Sequence, residues 1–240
     1  MRVALLIARR EASSYFRSPI GAVVLSGALL VIGILFYWKG LTEKLLSSEV
    51  LSEFFYSSSG VVMVASLFLS MRLVAEERQT GTLTLLNTAP VTDAQIVAGK
   101  FLAAFGMVAT LTALTVYMPL LIFVNGKVSL GHIAVGYGGL LLIGAACVAI
   151  GLFASALTES QVVAVVVSGG IIAALILQWI LAKAVDPPFD SFLVNLAFHH
   201  TNFRPFQQGI LELQGVAYYL AVAFLFLLGA TKVLEARRWK

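Results

Sequence analysis

The chain has 240 residues, of which 60% are hydrophobic and only 12% charged, against about 45–50% and about 25% in ordinary soluble chains. So few charges cannot cover the surface of a soluble fold of this size, which leaves lipid as the solvent for most of the chain. The formal charge of +4 comes from 16 basic and 12 acidic residues, and the basic ones sit at the ends of apolar runs, a pattern that sets membrane orientation and excludes a nucleic-acid reader with its positives on one face.

Residues 1–18 read as an amphipathic helix lying along the cytoplasmic leaflet. Leu5, Ala8, Ala12 and Tyr15 or Phe16 share one side at helical spacing, with Arg2, Arg10, Ser13 and Arg17 on another, and Val3, Leu6 and Ile7 off the stripe. Ser18 followed by Pro19 is a helix start. The remainder, residues 19–240, divides into six uncharged runs, at 19–38, 54–71, 101–124, 133–158, 160–182 and 213–231. Each is long enough to span a hydrocarbon core of about 30 Å. The first, at 20 residues, exceeds a signal-peptide core of roughly 7–15 and reads as a retained anchor. Pro119 is placed to kink the third.

With the N-terminus inside, eleven of the sixteen basic residues fall in the cytoplasm. That bias predicts an inner-membrane, multi-pass chain with both termini cytoplasmic and an even number of crossings. The expected fold class is therefore an all-α integral membrane protein with six transmembrane helices and an N-terminal interfacial helix.

The six runs contain no Asp, Glu, Lys, Arg or His, and no inverted repeat is evident. An ion-coupled transporter or proton pump needs ionisable groups or broken helices near the midplane, so energy for a transport cycle must come from outside the membrane. Gly144, Gly151, Gly169 and Gly170 lie in the fourth and fifth runs, where small residues let helices approach closely, either within one subunit or between two. His199 and His200 are adjacent on the outer side near Asp186 and Asp190, but two neighbouring side chains fall short of the three or four convergent ligands that a metal site requires. The single cysteine, Cys147, lies within an apolar run and reads as an inert buried thiol. The phosphate-loop, dinucleotide and nucleophile-elbow motifs are absent, so the chain is expected to bind no cofactor and to have no ATPase site of its own.

Two longer connections remain. Residues 183–212 form an outer segment rich in proline and aromatics, expected to fold back in short pieces against the mouth of the bundle. Residues 72–100 form the cytoplasmic loop. They read as a first helical piece at Thr80–Asn87 with Leu83 and Leu86 on its apolar side, a stop at Pro90, and a second helix capped by Thr92 with Gln95 as its capping-box partner. A short helix held on rigid stems is suited to docking.

Within that loop, Glu76-Glu77-Arg78, Gly81-Thr82-Leu83, Leu85-Leu86, Thr88, Pro90-Val91 and Gly99-Lys100 resemble the signature of ABC-2 type transporter permeases. Residues 16–21, 188–190 and 233–239 resemble the gliding-motility-associated subfamily. The resemblance implies the ABC-2 permease type of fold and a permease subunit of an ATP-driven exporter with an unidentified substrate. It implies a dimer with a second copy or a related membrane subunit, a cytoplasmic ABC ATPase dimer that carries ATP and Mg, and a membrane protein with an extracytoplasmic domain as further partner. It assigns ATPase coupling to Glu76, Glu77, Arg78, Gly81, Thr82, Leu83, Leu86 and Pro90. Thr84 stands where many relatives carry an acid. The rival reading is a non-transporting scaffold or mechanotransmitter that relays ATPase motion to an extracytoplasmic partner.

Overall fold

Long uncharged runs satisfy their backbone polar groups internally only as helices when lipid surrounds them, and helices are what form. The computed structural model describes residues 2–41, 46–81, 91–126, 128–183 and 194–238. In chain order the helices are α1 (Arg2–Arg17), α2 (Pro19–Leu35), α3 (Ser47–Ser70), α4 (Arg72–Gln79), α5 (Asp93–Leu114), α6 (Tyr117–Asn125), α7 (Leu130–Leu157), α8 (Gln161–Ala182), α9 (Arg204–Gln207) and α10 (Leu213–Arg238). No strand occurs among the described residues. Six helical stretches among them are long and apolar enough to cross a membrane, namely Pro19–Lys39, Ser47–Gln79, Asp93–Val124, Leu130–Leu157, Gln161–Ala182 and Leu213–Ala236. The chain is a multi-pass, all-α membrane protein.

Local chemistry sets several helix ends. Ser18 is extended and its Oγ accepts from the Ile20 N–H at 3.3 Å, with Pro19 at the first helical position of α2. Thr92 Oγ1 accepts from Gln95 N, while the Gln95 side chain accepts from Thr92 N, both at 3.3 Å. This is the expected capping box at the start of α5. Past Leu35 the first crossing loosens into a π-helical turn at Phe36–Leu41. The third crossing is broken at Thr115–Val116, between α5 and α6. Pro119 accounts for this: it has no N–H for the Thr115 carbonyl, and its ring crowds that carbonyl, so the break falls one turn before the proline.

The second crossing is longer than its apolar run at both ends. It begins at Ser47 and continues through a single turn residue, Met71, into α4. Polar residues extend a helix beyond the bilayer core as readily as apolar ones, so hydropathy does not mark its ends.

In α7, 72% of the most apolar window is buried by the rest of the chain, against 17% in α8 and 22% in α2 and α10. α7 is therefore the axis, packed on α3, α5 and α10, while α2, α8 and α10 turn broad faces outward. Gly151 brings α7 so close to α3 that a Cβ there would lie 1.8 Å from Ser70 Oγ, and at Gly144 it would lie 2.7 Å from Val108 of α5. These two glycines serve packing within the chain. Gly169 and Gly170 do not: the nearest atom to a Cβ at Gly169 is 3.9 Å away, and at Gly170 there is open space.

Both described ends of the chain lie at the same end of the bundle. At the opposite end, residues 194–203 and α9 fold back among α3, α7, α8 and α10. Phe198 N donates to Leu175 O at 3.1 Å. Tyr219 Oη donates to Phe198 O and Tyr218 Oη to Leu196 O, each at 2.7 Å. Phe198, Phe203 and Phe206 are fully buried there. The side chains of His199 and His200 diverge: His199 Nε2 is 2.7 Å from Ser59 Oγ, whereas the His200 ring stacks on Trp179 with centroids 4.7 Å apart. Asp186 and Asp190 lie outside the described residues.

Candidate functional site

The loop singled out by the sequence opens from the end of the bundle that carries both termini, and the chemistry there begins with how α4 is held. α3 loses helical continuity at Met71, and Ser155 of α7 fills the gap. Its Oγ donates to Met71 O at 2.8 Å and accepts from Val74 N and Ala75 N, both at 3.0 Å. A single buried hydroxyl thus ties the first turn of α4 to the central helix. Farther along, Arg78 Nη1 donates to Thr158 O at 3.2 Å. Thr80 and Gly81 form the turn that ends α4, with Gly81 at φ 70°, a left-handed conformation that favours glycine.

The other side of the loop is fixed by α1. Ile7 Cβ and Ala4 O would lie 2.7 and 2.8 Å from a Cβ at Gly99, so α1 rests directly on the start of α5. Next to this contact is Lys100, whose side chain is 1% exposed. Its Nζ is 2.8 Å from Glu77 Oε1 of α4 and 3.1 Å from Glu11 Oε1 of α1. One ammonium therefore joins three helices. Burying it is costly unless both carboxylates stay in place.

A second cation, at the start of α4, also reaches the α1 segment. Arg72 donates from Nη1 to Ser18 Oγ at 3.0 Å and from Nη2 to Ser14 Oγ at 3.1 Å, and its Nε lies 3.0 Å from Glu76 Oε2. Its guanidinium also lies 5.0 Å from the centre of the Tyr15 ring, within cation–π range. The Tyr15 hydroxyl donates to Leu69 O, and burial pushes its pKa up, keeping it a neutral donor. Between the two cations lies a cavity of about 150 Å³ lined by Glu11, Ser14, Arg72, Glu76, Glu77 and Lys100, among others.

Of the residues assigned to coupling by sequence, Glu76, Glu77, Arg78 and Gly81 are thus brought together on α4 and its terminal turn. Thr82, Leu83, Leu86 and Pro90 lie outside the described residues, as does the expected helical piece Thr80–Asn87 beyond Gly81. Thr80 and Gly81 themselves do not open that helix; the left-handed glycine closes the preceding one instead. Sequence reading missed Lys100, Glu11, Arg72 and Ser155 as parts of the assembly. Their partners are distant in the chain, with 89 residues separating Glu11 from Lys100, so no local spacing could reveal them. The available signal was a lysine immediately before an uncharged run.

The predicted stripe on α1 also changes. Tyr15 is buried and Ile7 packs on α5, whereas Leu5, Leu6 and Phe16 are exposed. The reason is that an interfacial helix has two apolar destinations, protein and lipid, and its largest exposed side chains are free to take the lipid.

No curated protein matches the chain. The family model described as ABC-2 family transporter protein matches residues 40–234. That stretch takes in α3 to α9, most of α10 and the whole loop described above, while α1 and α2 precede it. With a match over the greater part of its length, the chain belongs to the ABC-2 transporter family.

Proposed function

We propose that the chain is the membrane permease subunit of an ATP-driven ABC exporter, working as a dimer with a second copy or a related subunit. A separate cytoplasmic ABC ATPase dimer docks on the coupling loop, at Glu76, Glu77, Arg78, Gly81, Thr82, Leu83, Leu86 and Pro90, and carries ATP and Mg; this chain binds neither. In this reading the end of the bundle with both termini faces the cytoplasm of the inner membrane, as the basic residues favour. The end motifs favour the gliding-motility-associated subfamily, and with it a membrane partner bearing an extracytoplasmic domain.

The observation that carries the proposal is the pair of stems around residues 82–90. α4 is bonded to α7 through Ser155, and α5 is tied to α1 and α4 through Lys100. Force applied to the loop is therefore transmitted to the bundle instead of being lost in a slack connection. ATP binding shifts the permease only to the extent that the docking surface interacts differently with the two states. Leu83 and Leu86 are the apolar anchors of that surface, each contributing roughly 1.5–3 kcal/mol if buried in an ATPase groove.

Leu83→Asp with Leu86→Asp tests the reading. The complex reconstituted with its ATPase should lose stimulation of ATP hydrolysis while the membrane part keeps its thermal stability. Unchanged assembly and stimulation would overturn it. The rival reading, a scaffold or mechanotransmitter, draws on the closed far end, where buried Phe198, Phe203 and Phe206 plug the space between helices. Sustained ATP hydrolysis without flux of lipid, polymer or peptide would select that alternative.

A further inference from the structure

Two grooves lie on the same side of the seam between α2 and the α3–α4 helix. The first, of about 560 Å³, is polar and is lined by Arg10, Ser13, Arg17, Ser18, Ile20 and Arg72, with Ser14 and Glu76 completing it. The second, of about 470 Å³, is almost wholly apolar and runs between Val23–Val31 of α2 and Gly60–Phe68 of α3. One helical turn on each wall separates them: Ile20 to Val24 on α2, and Arg72 to Phe68 on α3–α4. The polar groove is thus at the level of the interfacial helix, and the apolar one lies a turn deeper in the membrane.

We propose that these two grooves, one helical turn apart, together seat one anionic phospholipid, with the phosphate in the polar groove and an acyl chain in the apolar one. The charge balance selects the headgroup. Three guanidinium groups face one carboxylate, and that carboxylate, Glu76, is engaged by Arg72. Arg10 and Arg17 stand exposed on the rim and form no ion pair among the described residues. A phosphate meets the exposed guanidinium of Arg17, that of Arg10, whose charge also acts on Glu77, and the hydroxyl of Ser13. The ammonium of a zwitterionic headgroup finds no free acid among these residues.

Dimensions select the chain. Val23 to Val31 spans eight residues, about 12 Å of helix, close to the half-thickness of a hydrocarbon core of about 30 Å. The apolar groove therefore has the depth of one leaflet. It exists because Gly27 and Gly60 present no side chain where α2 and α3 diverge, and a Cβ at either would meet nothing within 4 Å. A bound lipid would pin α1 to the first crossing through Arg10 and Arg17. This inference does not rest on the ATPase reading.

The test uses the full chain, purified in mild detergent and offered equimolar phosphatidylglycerol and phosphatidylcholine. Retention is read by native mass spectrometry and lipid-dependent stabilisation by thermal unfolding. The wild type should retain phosphatidylglycerol preferentially and be stabilised by it. Arg10→Gln with Arg17→Gln should weaken that retention by about tenfold or more, since each removes an exposed cation without touching a packed contact. Gly27→Leu with Gly60→Leu should lower retention by filling the apolar part. Millimolar inorganic phosphate alone should neither stabilise the chain nor displace the lipid. Equal retention of the two lipids by the wild type, undiminished retention in the arginine double variant, or displacement by inorganic phosphate would each overturn the proposal. Should a variant fail to fold, the wild-type lipid preference and phosphate competition still decide it.

Discussion

Lys100 and Glu77 face each other at 2.8 Å across the gap between α5 and α4, with the lysine side chain 1% exposed. The pair brackets the connection between α4 and α5. Through Glu11 the same ammonium ties both stems of that connection to α1. The consequences of disturbing it and its neighbours are measurable.

Lys100→Met should destabilise the folded chain by about 3 kcal/mol or more, because removing one member of a buried ion pair leaves its partners uncompensated. Here two carboxylates, Glu11 and Glu77, would be left close together. Combining Lys100→Met with Glu11→Gln and Glu77→Gln should recover most of the loss. Thermal unfolding in detergent of the single and triple variants checks both outcomes; equal stability of the two would contradict the account.

Ser155→Ala removes the acceptor for Val74 N and Ala75 N and the donor to Met71 O. Unsatisfied buried groups cost about 1–3 kcal/mol each way of counting the loss. Hydrogen exchange should quicken at residues 72–79 while the core of α7 stays protected. A uniform change across the bundle would show that the hydroxyl does not act locally.

Gly151→Ala drives a methyl into Ser70, and a clash of this kind in a packed core costs about 1–3 kcal/mol. Ser70→Gly in the same chain should relieve it, giving a favourable coupling energy in a double-mutant cycle. Gly170→Ala, made in open space, should leave the isolated chain's stability unchanged. If it instead weakens association between copies, the outward face of α8 is part of the subunit interface.

His199 is held down to about 4, chiefly by burial and secondarily by the charge of His200. Its ordinary value is about 6.5, so the folded state requires the neutral ring where the unfolded chain would protonate. The stability tied to this site is therefore fully present above about pH 6.5. It is lost progressively as pH falls towards 4. Melting temperature measured across that window should fall more steeply for the wild type than for His199→Gln. The same slope in both would rule out this residue as the source.

Much of the architecture was legible because lipid imposes a simple rule: about 20 uncharged residues make a crossing. Ser18 with Pro19, and Thr92 with Gln95, were readable because a cap acts within three or four residues of itself. What escaped was set by contacts between distant parts. The continuation of α3 through Met71 to Gln79 depends on Ser155, which is 84 residues away. The inward face of α1 depends on a glycine of α5. For the candidate site, family likeness picked out the α4 acids and Gly99-Lys100, but not the pairing of that lysine with Glu77. Its ligands Glu11 and Glu77 come from two other helices, and only the assembled bundle brings them together.

The interruption at Thr115–Val116 divides the third crossing into a capped rod of about 33 Å and a stub of about 13 Å. At the interruption the backbone bonds tighten by one residue, with Thr115 N donating to Thr112 O and Val116 N to Ala113 O, each at 3.2 Å, and Met118 N to Thr115 O at 3.0 Å. Tightened turns of this kind mark the depth at which a long helix changes direction without unwinding along the rest of its length.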